Sequence, residues 1–172
     1  LYARPSQETT CRFRTTYPVT LWPIEVASAR LESGGTPDAG GRTPAANLTM
    51  RLRVQGDTTF AELADLDRLR FYLHGDGQLT FPLYESLFAD CYRIEVRDPM
   101  NASAIVVLPP HSLAEVGFEP DDGLLPYSPR SFLGYRLVQE YFHFPEKFLF
   151  VDVTNLAAAR PLRLQSEIEL RF

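Results

Sequence analysis

Cysteine is nearly absent from this chain: Cys11 and Cys91 are the only two in 172 residues. Two cysteines without metal-ligand spacing exclude a disulfide framework or a zinc ribbon, and both read as buried thiols suited to a reducing cytoplasm. A bridge between them would need a close pair of Cβ atoms that spacing alone does not supply. Histidine is equally scarce. His74, His111 and His143 fall in different segments, none beside a second ligand at helical or hairpin spacing, so a metal site has no support. Basic clusters are missing and the formal charge is -5, which removes the electrostatic footprint expected for nucleic acid or an anionic membrane. Long apolar runs are missing too. The longest, 105–108 and 148–151, fall far short of the roughly 20 residues that cross a bilayer, and no charged-then-apolar leader opens the chain. No Gly-x-Ser-x-Gly elbow or lysine-bearing glycine loop occurs, so acyl transfer and nucleotide use lack their usual signatures.

What is present describes a folded domain. Apolar residues make up 45% and charged residues 23%, and a chain of this length buries roughly 70% of its unfolded surface. One globular domain over 1–172 is expected, and because both ends read as interior sequence, a longer polypeptide is expected around it. The stretch 19–27 reads as an extended lead into a strand that Pro18 and Pro23 confine to an edge or bulge. A Gly/Thr/Pro/Ala-rich flexible loop over 33–46 follows. Leu48, Met50, Leu52 and Val54 alternate with polar residues, as do Leu69, Phe71 and Leu73, and each set predicts a strand. Tyr84, Leu87, Phe88 and Cys91 recur at three and four, predicting a helix from Thr80 with Pro82 in its first turn. Ile94 and Val96 predict another strand, and 105–108 a more fully buried one. A second helix is expected from about Ser131, with Leu133, Leu137, Val138 and Tyr141 along one side, until Pro145 stops it. Gly134 within it implies another backbone packed close by. The run 148–153 and the alternation of Leu162, Leu164, Ile168, Leu170 and Phe172 complete at least six strands and two short helices. The fold class is therefore α+β with largely antiparallel sheet.

Candidate chemistry is thin. His74 beside Asp76 offers a base with an orienting carboxylate, although such residues in a glycine turn are usually structural. The acidic turn 119–123 lacks the ligand alternation of a calcium loop. The unusual region is 132–150, dense in aromatic residues with Arg136, Glu140, Glu146 and Lys147 among them. Aromatics and Arg dominate protein–protein hot spots, yet a packed aromatic core is the first expectation here, with Phe142 inside it. Tyr135 and Tyr141 are the expected exceptions, because a phenol suits a wet interface rim, and Trp22 is a further candidate anchor. An antiparallel ligand- or carbohydrate-binding module, stacking sugars on Trp22 and the tyrosines, is the alternative function. No catalytic residue and no cofactor is expected.

Four segments carry a resemblance. Cys11-Arg-Phe-Arg-Thr-Thr-Tyr-Pro-Val-Thr-Leu-Trp-Pro23, Phe71-Tyr-Leu-His-Gly75, Leu124-Leu-Pro-Tyr127 and, above all, Phe132-Leu-Gly-Tyr-Arg-Leu-Val-Gln-Glu-Tyr-Phe-His-Phe-Pro-Glu-Lys-Phe148 resemble the TssF family of bacterial type VI secretion baseplate subunits. The resemblance runs across the whole chain and covers an internal portion of that family's longer protein, with the loop at 33–46 departing from it. It implies a non-enzymatic wedge component of a contractile injection machine, cytoplasmic in a Gram-negative bacterium and docked at the inner-membrane complex without inserting. Implied partners are TssG, TssE, a second TssF copy, TssK and VgrG.

Overall fold

The computed structural model describes residues 17–35, 37, 41–124, 127, 128 and 130–172, so Cys11 lies outside the described residues. In chain order the elements are β1 (Ile24–Ser33), β2 (Ala46–Val54), β3 (Leu69–Tyr72), α1 (Gly77–Glu85), β4 (Ile94–Asp98), β5 (Asn101–Leu108), β6 (Leu113–Glu115), α2 (Leu133–His143), β7 (Phe150–Val153) and β8 (Glu167–Arg171). The fold is α+β, and every strand pairing is antiparallel. Contacts group the chain into two compact units, 1–21 with 116–148 and 22–115 with 149–172.

The larger unit holds both sheets, a five-stranded one in the order β1-β2-β8-β4-β5 and a three-stranded one in the order β3-β7-β6. Alternation explains the first. Ile168 and Leu170 of the central strand β8 point inward and are almost fully buried, beside Leu52, Val54, Ile94 and Val96. The other parity carries charge: Glu167 and Glu169 lie opposite Arg53 and Arg51, with Arg53 Nε donating to Glu167 at 2.8 Å. Such exposed pairs are worth about 0–1 kcal/mol each, so their main effect is to fix the register that keeps Leu170 inside. Glu95 is different. Burial pushes its carboxyl up, but hydrogen bonds from Arg97 (2.6 Å) and Arg93 (2.5 Å) and their charges outweigh that and hold it below the usual range.

The core continues into the second sheet through Leu69 and Val153 and is closed by Phe60, Leu156 and Leu164. On β7 the buried carboxylate of Asp152 accepts two 2.7 Å bonds from Arg70, a fork geometry that compensates its desolvation. Ile168→Val, which removes one buried methylene, is expected to lower the local unfolding free energy of β8 by about 0.5–1.5 kcal/mol. Native-state hydrogen exchange at β8 amides would measure it, and no change would mean that β8 is not the centre of the core.

Two sequence expectations need correction. The first helix begins at Gly77, because Asp76 caps it by accepting the Gln78 N–H at 2.9 Å, so Pro82 sits inside the helix and not in its first turn. A π-type turn over Ser86–Asp90 follows it. The run 105–108 is not a fully buried strand, since β5 is a sheet edge and Val107, on the outward parity, is 50% exposed. By contrast β1 is an edge strand with a bulge between Val26 and Ser28, as Pro18 and Pro23 implied.

Candidate docking face on an inverted helix

The smaller unit is organised around α2. Leu133–His143 follows Phe132, which supplies no side-chain cap, and the helix stops at Phe144 ahead of a 3-10 turn over Pro145–Phe148. An ordinary surface helix turns its apolar stripe inward. Here Arg136 is 2% exposed and Glu140 6%, with Leu137 half-buried between them, while Tyr135 and Val138 stand out in solvent. The helix is inside out.

The reason lies in the segment 117–124, whose irregular backbone leaves carbonyls and N–H groups that need partners. Arg136 Nη2 donates to the carbonyls of Phe118 (3.3 Å) and Glu119 (2.9 Å). Glu140 Oε1 accepts the Leu124 N–H at 2.9 Å, and its Oε2 pairs with Lys147 Nζ and lies 3.8 Å from Arg136 Nη1. Lys147 Nζ also donates to the Asp122 carbonyl at 2.8 Å. Lys147 is the only lysine of the sequence and is 1% exposed. Two cations therefore share one buried carboxylate, and each tethers α2 or the turn after it to the facing loop. Gly117 completes the nest. Its φ of +103° suits glycine, and a Cβ there would stand 3.2 Å from the Lys147 carbonyl oxygen.

What the inversion leaves outside is aromatic. Phe142 is 79% exposed, Phe132 71%, Tyr135 65% and Tyr141 49%, with Val138 and Phe144 also exposed. Tyr135, Val138 and Phe142 recur at i, i+3 and i+7 and so form one stripe, with Tyr141 beside it. The rings pair with each other, Phe132 with Tyr135 at 5.7 Å and Tyr141 with Phe142 at 5.7 Å, both edge to face. Monomers rarely leave such apolar patches uncovered.

These positions correct the expectation that Phe142 belongs to a core. Phe148, by contrast, is buried against Phe118. The neighbour of Gly134 is the Phe132 ring and not another backbone. Tyr135 and Tyr141 lie on one helix, whereas Trp22 belongs to the larger unit and packs half-buried against its core. Sequence reading missed Arg136, Glu140 and Lys147 as a group. The available signal was an Arg–Glu pair at i, i+4 followed seven residues later by the single lysine.

Elsewhere the chemistry is quiet. Asp76 spends its carboxylate on the α1 cap, and the His74 ring lies 6.0 Å from that of Tyr72. Asp122 accepts the Gly117 N–H at 2.9 Å, closing the acidic turn on itself. In the larger unit a cleft of about 630 Å³ is lined by Leu48, Leu87, Cys91, Arg93, Glu95 and Arg97, but its one buried carboxylate is held between two arginines, and burial pushes the Cys91 thiol up, away from reactivity. Among the described residues no helix is long and apolar enough to cross a membrane.

The family model for type VI secretion system TssF matches residues 1–172. The type VI secretion system component TssF1 of Pseudomonas aeruginosa is 43% identical over 173 residues, covering 96% of this chain and 27% of that protein. A solved chain in the type VI secretion TssK-TssF-TssG baseplate subcomplex superposes with a TM-score of 0.68 at 26% identity, covering 95% of this chain and 29% of that one. The chain thus spans little more than a quarter of each relative's length. With the model matching end to end, this chain belongs to the TssF family of type VI secretion proteins.

Proposed function

We propose that this chain is a structural, non-catalytic module of the type VI secretion baseplate and joins its neighbours through the outward aromatic face of α2. The observation that carries the reading is the inversion itself: buried ion pairs hold the polar side of the helix down, so Tyr135, Val138, Tyr141 and Phe142 are presented to a partner. Covering each such side chain contributes about 1.5–3 kcal/mol, enough for a few of them to anchor a complex. The solved relative sits in a complex with TssK and TssG, and these are the partners proposed here. Contacts with TssE, VgrG and a second TssF copy, and docking at the cytoplasmic side of the inner-membrane complex, follow from the family resemblance. In this reading 1–172 works as one domain-sized piece of a longer subunit.

Coexpression of the intact subunit with TssG and TssK tests the reading. A complex that survives purification is expected, and its absence across a range of salt concentrations would defeat the proposal.

A further inference from the structure

β1 is a long strand at the end of its sheet. It pairs with β2 from Ile24↔Val54 to Ser33↔Ala46, and among the described residues no strand pairs with its other side. Edge strands are normally kept short or blocked by proline, lysine or a covering loop, since a row of free N–H and C=O groups invites another strand. This strand runs ten residues with no proline or lysine, and Val26 and Leu31 are 53% and 57% exposed. Besides its charged residues, the protection seen among the described residues is the bulge at Ala27.

The register with β2 says which side each residue faces. Ile24, Val26, Ala29 and Leu31 lie opposite Val54, Leu52, Met50 and Leu48 and share their core-side face, while Glu25, Ser28 and Arg30 lie opposite Arg53, Arg51 and Thr49 on the charged face. Placing β1 antiparallel to a copy of itself, with the two-fold axis between Ala27 and Ser28, sets Ile24 opposite Leu31 and Val26 opposite Ala29. The same register sets Glu25 opposite Arg30 twice. Every pair joins like faces, apolar to apolar and acid to base, and the two bulges meet at the axis instead of throwing the flanks out of phase. Moving the copy by two residues, to put Glu25 opposite Glu32, loses the charge match. Self-complementarity in both hydropathy and charge is the mark of an isologous interface.

We propose that the β1 edge pairs antiparallel with β1 of a second copy of the same subunit, through residues 24–31, extending the five-stranded sheet across a two-fold axis. The proposal rests on the second-copy contact named above and gives it a surface; that surface involves none of the α2 residues, so it stands or falls separately from binding to TssG and TssK.

The test is a charge swap in the full-length subunit, carried by two differently tagged copies and read by co-purification. Glu25→Arg places Arg opposite Arg30, and Arg30→Glu places Glu opposite Glu25, so each variant alone is expected to self-associate at least tenfold more weakly than wild type. Mixing the two restores both opposite-charge pairs and is expected to bring association back to near the wild-type level. Glu25 also lies 3.6 Å from Arg53 and accepts from Gln55, but that local loss persists in the mixture and so cannot explain a rescue. Wild-type copies that do not associate, single variants that associate normally, or a mixture that fails to recover would each overturn the proposal, the first pointing to a strand from elsewhere in the same subunit. Binding of TssG measured in parallel separates this failure from failure of the partner reading.

Discussion

Glu140→Ala is expected to lower the local unfolding free energy of α2 by about 3–5 kcal/mol, because it leaves Arg136 and Lys147 buried as cations with no counter-charge. The magnitude follows from asymmetry. A buried ion pair gains little over an apolar pair of the same shape, but breaking one strands the remaining charge in a medium that cannot solvate it. The Leu124 N–H would lose its acceptor as well. Native-state hydrogen exchange at α2 amides in the intact subunit measures the effect. The mechanism makes a second demand: Glu140→Gln combined with Lys147→Met should cost clearly less than Glu140→Ala alone, since that pair removes a charge of each sign. A loss under about 1 kcal/mol for Glu140→Ala would show that the ion cluster does not hold the helix in its inverted setting.

The second large effect is on binding and should leave the fold alone. Tyr135→Ala and Phe142→Ala remove rings that are 65% and 79% exposed, so hydrogen exchange of α2 should change by less than about 1 kcal/mol. Aromatic anchors at protein interfaces cost about 2 kcal/mol or more when truncated, so each variant should weaken partner binding by a factor of about 30. A core residue shows the opposite pattern. Losing a packed phenylalanine costs about 3–5 kcal/mol of stability, so the two readings of Phe142 differ in which assay moves.

The strands were legible in the sequence wherever one face is wet and the other dry. Met50, Leu52 and Val54 against Arg51 and Arg53, or Ile168 and Leu170 against Glu167 and Glu169, announce both the element and its buried side. Even the edge position of β1 could be read from Pro18 and Pro23. Strand β6, three residues from Leu113 to Glu115, is too short for any alternation to show, and it exists because β7 offers it a ladder. The inner side of α2 was illegible for a different reason. Periodicity locates an apolar stripe but not what lies against it, and it assumes that the stripe faces the protein's own interior. In α2 the carbonyls of Phe118, Glu119 and Asp122 outbid the stripe, because unpaired polar backbone in the interior costs more than apolar side chains left in water. A rule that buries Leu133, Val138 and Tyr141 fails wherever the missing cover belongs to another part of an assembly. That failure is itself the clearest pointer to the candidate docking face.

The most direct measurement is the affinity of the intact subunit for TssG and TssK, with and without the paired substitution Tyr135→Ala/Phe142→Ala, on protein whose α2 hydrogen exchange is unchanged. The account predicts that the substituted subunit stays folded and no longer copurifies with the other two. Undiminished binding by a folded double variant would contradict it, because the helix face would then be bare without being used.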